Sequence, residues 1–186
     1  MIAVASGKGG TGKTTVAAHL ALTSARNRST VLVDLDVEAP DSTGYFPAAQ
    51  TAGDTEAVTV LVPEVNVDRC TGCGICASAC RFGSILVIGG VVTIDQKTCK
   101  GCGRCVAVCP AMALREIPLT VGETSMRGMG GLALLEGRMT VGDIRSTVVI
   151  EAAKHRAAGT GAAMQIRDCP PGYPARQPTR WKARIT

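Results

Sequence analysis

Two groups of residues in this chain are spaced for chemistry. Residues 7 to 14 read GKGGTGKT and satisfy G-x-x-x-x-G-K-[ST]. In a loop of that pattern, successive backbone N–H groups and a helix N-terminus face phosphate oxygens, and glycines let the chain come that close. Lys13 is spaced to bind β- and γ-phosphates, and Thr14 to put its hydroxyl on Mg2+. Farther along, Cys70, Cys73, Cys76 and Cys80 follow C-x2-C-x2-C-x3-C, and Cys99, Cys102, Cys105 and Cys109 repeat that spacing. Thiols this dense are metal ligands or disulfide partners, and the compartment decides between them.

The doubled run is the bacterial ferredoxin pattern, in which three thiolates of a tight loop hold three irons of a cubane and the fourth ligates the other cluster. It implies one 4Fe-4S cluster on Cys70, Cys73, Cys76 and Cys109, and a second on Cys80, Cys99, Cys102 and Cys105. Zinc would need only four thiolates, usually as paired C-x2-C knuckles rather than triplets. Arg81 stands where the pattern places a proline after the fourth cysteine, whereas Pro110 keeps it. Glycines within each run ease the loop, and backbone N–H groups facing the sulfurs tune the potential.

Composition supports metal over disulfides. With 186 residues, the chain has room for one ordinary domain or for a core carrying a small insert. Hydrophobic residues make up 46% and aromatics 3%, so the core is expected to be Ala, Val, Ile and Leu. The net charge of +5 rests on Arg176, Arg180, Lys182 and Arg184 at the end, so no nucleic-acid partner is expected. The sequence opens on a strand without a signal-like region, and no apolar run is long enough to span a bilayer. The expected location is the cytoplasm, where nine cysteines are kept reduced.

Elements must hold both groups. Residues 2 to 5 read as a buried strand, and 13 to 26 as a helix with Val16, Leu20 and Leu22 on or near one face. STVLVDLD, at 29 to 36, reads as a second buried strand ending in acids, which makes a right-handed parallel crossover unit. Residues 37 to 56 are loop-rich, and 58 to 65 read as a third strand leading outward. After Pro118 the glycines predict turns or a hairpin, then 143 to 158 a helix and 162 to 168 a strand. The proline-rich end is expected to be irregular. Cys169 is read as buried or incidental, His19 and His155 as structural, and Trp181 as part of a solvated tail.

The stretch KGGTGKT carries one lysine more than a phosphate loop needs. It resembles the deviant Walker A loop of the MinD/ParA group of P-loop ATPases, which includes the nitrogenase iron protein and Mrp-type scaffold ATPases. That resemblance implies a nucleotide-sandwich homodimer in which Lys8 reaches the partner's phosphates as a catalytic cation. Gly9, Gly10, Thr11, Gly12, Lys13, Thr14 and Thr15 would contact the nucleotide. VLVDLDVEAPD resembles the group's second motif, which implies that Asp36 orients or activates the attacking water and that Asp34 sits close to Mg2+. IRDCPPG resembles the third, with Asp168 on Mg2+ through water and Gly172 sensing the γ-phosphate.

Taken together, residues 1 to about 172 are similar to MinD-superfamily ATPases that carry an inserted ferredoxin domain. The fold implied is α/β: an incomplete parallel-sheet P-loop NTPase core with an inserted small α+β bacterial-type ferredoxin domain. Residues 1–60 and 118–172 would form the core, 61–117 the insert and 173–186 a basic irregular tail. Such relatives continue with further strands and helices, so a truncated or frame-shifted end is expected. The function implied is an ATPase switch, using ATP and Mg2+, coupled to electron transfer through two 4Fe-4S clusters toward a redox partner protein. Two alternatives stand beside it: a scaffold that delivers clusters to apoproteins, and a ferredoxin-type electron carrier on a degenerate, non-hydrolysing ATPase remnant.

Overall fold

The computed structural model describes residues 1–51 and 55–172. The irregular tail expected at 173–186, with Trp181, lies outside them. The chain divides into two compact units, one comprising Met1–Val58, Val121–Val141 and the described chain from Arg145, the other Thr59–Thr120 and Gly142–Ile144.

The first unit is α/β with a parallel centre. Its strands are β1 (Ile2–Val4), β2 (Thr30–Asp34), β3 (Gln50–Thr51), the start of β4 (Glu56–Val65), the end of β7 (Leu114–Met129), β8 (Leu132–Met139) and β9 (Met164–Asp168). The sheet order is β1-β9-β2-β8-β7-β3, with β4 also pairing β7. Pairs β1–β9, β9–β2 and β2–β8 are parallel, while β7 is antiparallel to β8 and β3. All five residues of β2 are buried, as its unbroken apolar run requires of a strand covered on both faces. The hairpin anticipated after Pro118 is β7–β8, turning at Gly130 and Gly131.

Helix α1 (Lys13–Ala25) packs on β9, β2 and β1 with Ala17, Ala18 and Ala21 inward, against Leu32, Leu134 and Ile166. This corrects the expected apolar face: Val16 is 51% exposed and Leu20 38%. Methyl side chains let the helix lie close to the sheet, and that steric preference outweighs the higher hydrophobicity of Val and Leu. Helix α4 (Ser146–Gly159) packs on β8 and β2. A Cβ on Gly137 would lie 3.4 Å from both Val149 and Ala153, so the glycine sets how closely α4 approaches.

The second unit holds two short helices, α2 (Ile75–Ala79) and α3 (Arg104–Ala107), and the antiparallel hairpin of β5 (Ile85–Ile88) and β6 (Val91–Ile94). Gly89 and Gly90, both at positive φ, make the two-residue turn that a tight hairpin favours. The small core joins Cys76, Ile85, Cys105 and Leu114, with Cys80 and Cys109 packed against it.

Candidate functional site

The glycine loop lies between β1 and α1, at the C-terminal edge of the parallel strands where open α/β sheets bind ligands. Gly10 and Gly12 take φ of 69° and 80°, which bends the loop over the start of α1. No side chain caps that helix, so its first N–H groups are left for an anion. Ser6 donates to the Lys8 carbonyl at 2.7 Å and Thr11 to the Ser6 hydroxyl at 2.8 Å, which locks the loop's shape. Lys13 Nζ rests 3.5 Å from the same Lys8 carbonyl, and the Lys8 side chain is exposed. The Thr15 hydroxyl meets Tyr45 at 2.7 Å, and His19 Nδ1 lies 2.7 Å from the Thr15 carbonyl, a local structural contact.

Three aspartates stand beside this loop. Asp168 is buried and hydrogen-bonded by Thr14, and its Oδ1 has no partner. Burial pushes its pKa up, with Asp41 and Asp36 adding to the effect and Thr14 and Lys13 opposing it. An orphaned carboxylate oxygen beside a threonine hydroxyl fits a hydrated Mg2+, which keeps several waters and takes few protein ligands. Asp36 is raised by burial, although Lys13 pulls it down. The Gly172 N–H bonds to the Ser6 carbonyl at 3.0 Å, so the third motif and the glycine loop are joined.

Asp34 is engaged differently. Its Oδ1 accepts the Asp36 N–H at 3.0 Å, while Oδ2 accepts those of Asp41 and Ser42 at 3.1 and 3.0 Å. Both oxygens thus fasten the loop after β2. Burial raises its pKa to about 6 against those hydrogen bonds. Glu136, in register with Asp34 on β8, is a further buried acid, bonded to Arg138 at 2.7 Å. The sequence reading passed over it, though an acid ending the run LALLE repeats the signal of Asp34 and Asp168.

The eight cysteines of the two runs fall in the second unit, whose halves repeat one chain of backbone hydrogen bonds. In one half, Ala113 N–H donates to Cys109 Sγ at 3.3 Å, Asn66 N–H to the Ala113 carbonyl at 2.7 Å, and Cys70 N–H to the Asn66 carbonyl at 3.1 Å. In the other half, Ser84 N–H addresses the Cys80 sulfur, Asp95 N–H donates to the Ser84 carbonyl at 2.8 Å, and Cys99 N–H to the Asp95 carbonyl at 3.2 Å. Each fourth cysteine is thereby tied to the first cysteine of the opposite run. Backbone φ repeats too: 66° and 79° at Gly72 and Gly74, 65° and 71° at Gly101 and Gly103, with Gly83 answered by Met112.

Cys70, Cys73, Cys76 and Cys109 line one small pocket that is partly open to solvent. Burial pushes the Cys76 thiol up, and the charges of Cys109 and Cys70 push it further. Cys105 is raised to about 11, first by burial and then by Cys99 and Cys102. Burial works against the Cys80 thiolate as well, but hydrogen bonds from Phe82, Ser84 and Gly83 outweigh it and lower its pKa. Among the described residues no three His, Cys, Asp or Glu side chains converge as a single metal ion requires. A cubane makes a different demand, because it spreads its ligands over the corners of a body larger than one ion. Cys169 stands apart, buried, with Sγ 4.0 Å from the Arg167 carbonyl.

Parallel strands, an uncapped helix behind a glycine loop and acids at the strand ends define a P-loop nucleotide-binding protein. The chain belongs to the CobQ/CobB/MinD/ParA nucleotide-binding domain family, whose model matches residues 2–158. Over 174 residues, 92% of this chain and 59% of the other, it is 34% identical to an uncharacterised protein of Methanocaldococcus jannaschii. A second uncharacterised protein of that organism is 32% identical over 89 residues, 48% of this chain and 32% of the other. The chain thus spans under two thirds of the curated relatives it matches. Among the described residues, no helix is long and apolar enough to cross a membrane.

Proposed function

We propose that this chain is a nucleotide-dependent switch coupled to electron transfer through two 4Fe-4S clusters, the P-loop core at 1–60 and 118–172 and the ferredoxin insert at 61–117. The observation that carries the iron–sulfur part is the crossed pair of hydrogen-bond chains, Cys109–Ala113–Asn66–Cys70 and Cys80–Ser84–Asp95–Cys99. Two interdigitated cubanes need that crossing, because each borrows its fourth thiolate from the other run. Each cluster would supply one-electron chemistry. The chain's own residues direct N–H groups at the sulfurs and bury Cys76, Cys99 and Cys105 while Cys73 and Cys102 stay exposed.

In the core, Lys13 and the loop N–H groups would hold the ATP phosphates, with Thr14 and Asp168 toward Mg2+ and Asp36 toward the attacking water. Lys8, exposed and anchored only through its carbonyl, is free to serve a partner's phosphates in a homodimer. The exposure of Cys73 and Cys102 supports a second reading, a scaffold that releases clusters to apoproteins. The test is anaerobic: reconstitute the clusters, measure iron and acid-labile sulfide, then titrate with dithionite with and without Mg-ATP. A switch moves the reduction potential when Mg-ATP binds. Loss of clusters to an apoprotein acceptor favours the scaffold, and zinc in place of iron defeats both readings.

A further inference from the structure

The two halves of the second unit share a chain of backbone bonds and differ in charge. Beside Cys70, Cys73, Cys76 and Cys109, one carboxylate and one cation, Asp68 and Arg69, leave zero, and Thr71, Ile75 and Pro110 are neutral. At the equivalent places beside Cys99, Cys102, Cys105 and Cys80 stand Lys97, Lys100, Arg104 and Arg81, and Asp95 replaces Asn66. Glu116 also lies on this side, its carboxylate 2.8 Å from where a Cβ on Gly103 would stand, so four cations against two carboxylates leave +2. Arg81, Lys97 and Arg104 are exposed and Lys100 half-buried, and none enters an ion pair among the described residues. The Cys80–Ser84–Asp95–Cys99 chain gathers residue 81 and residues 95–100 on one rim, and the exposed Cys102 follows in the same run.

We propose that this cationic rim is the docking face for an acidic redox protein, and that electrons cross at the cluster of Cys80, Cys99, Cys102 and Cys105. The proposal rests on the iron–sulfur reading above. Nearby cations stabilise the reduced, more negative cubane, so this cluster has the higher potential of the two and collects the electron. Once a low-potential one-electron donor has reduced the clusters, one electron would pass from this one to the oxidised one-electron centre of the partner, leaving the cluster oxidised and the partner reduced, with no bond made or broken. The same cations steer an acidic surface into place, a long-range effect that salt screens. A nucleic acid would meet the same charges but would have no use for the exposed cysteine in the same run as the cations.

The test uses the anaerobically reconstituted chain, reduced with dithionite and mixed with two one-electron acceptors of opposite charge, ferric EDTA and hexaammineruthenium(III). Oxidation by the anion is expected to slow by roughly threefold or more between low and high salt, and oxidation by the cation to quicken. Lys97→Glu, Lys100→Glu and Arg104→Glu together should invert that order, and the milder Gln triple should flatten it. Val67→Glu with Arg69→Glu, at exposed positions of the other half that do not line its cavity, should leave it in place. Independently of any rate, poly-glutamate should protect Lys97 and Lys100 from acetylation, read by mass spectrometry with Mg-ATP present. Retained clusters with salt-independent rates and no protection overturn the docking face alone, and equal protection by duplex DNA overturns the choice of a protein partner. Absence of iron and sulfide overturns both this face and the iron–sulfur reading.

Discussion

Asp34 and Asp168 are register partners on adjacent parallel strands, both buried, yet they address different things. Asp168 takes the Thr14 hydroxyl and keeps an oxygen without a partner, whereas Asp34 spends both oxygens on the backbone of residues 36–42. Two acids that look equivalent in sequence are thus divided between the Thr14 side of the site and the loop that carries Asp36.

This division sets a pH dependence. The folded-state pKa of Asp34, about 6, lies above its ordinary 3.8, so the native state holds the proton more tightly than the unfolded chain. Its contribution to stability is full below the ordinary value and is lost as pH rises through about 6. The change is on the order of 3 kcal/mol. Denaturant unfolding of wild type and Asp34→Asn between pH 4 and pH 7 checks it, with the variant expected to lack that slope.

The two loop lysines should separate binding from turnover. Lys13→Ala is expected to weaken Mg-ATP binding at least tenfold by calorimetry. Lys8→Ala should leave binding nearly unchanged while hydrolysis falls roughly a hundredfold or more, as for a cation supplied in trans. Equal losses in both quantities would place Lys8 in its own chain's site instead.

Crossed ligation makes a prediction that uncrossed ligation does not. Cys109→Ser should destroy the cluster of the Cys70 run and spare that of the Cys99 run, and Cys80→Ser should do the opposite. Iron content halves in both variants, and the surviving electron paramagnetic resonance signal differs between them. Identical survivors would reject the crossing.

Much of this was legible because it is written locally. The glycine loop and the cysteine runs declare themselves by spacing, since both chemistries need backbone and side chains from one short segment. What escaped depends on distant contacts. The inward face of α1 is chosen by closeness to Leu32 and Ile166, and the clamp made by Asp34 by a loop eight residues on. The β5–β6 hairpin, hidden among cysteines, packs against Gly72, where a Cβ would collide with the Gly90 carbonyl oxygen.

Gly72 therefore offers a graded test. Gly72→Ala combines a left-handed φ of 66° with that collision and should cost about 3 kcal/mol or more. Gly74→Ala meets the same φ penalty in open space and should cost about 1 kcal/mol. Cluster retention under mild denaturant ranks the two variants, and equal behaviour would mean that the hairpin yields.

The near-twofold repetition of backbone contacts in the cysteine-rich unit has a practical use. Each half is an internal standard for the other, built by the same polypeptide and sampled in the same tube. Wherever two otherwise superposable environments give unlike spectra or lifetimes, the cause must be sought in the handful of side chains by which the copies have diverged.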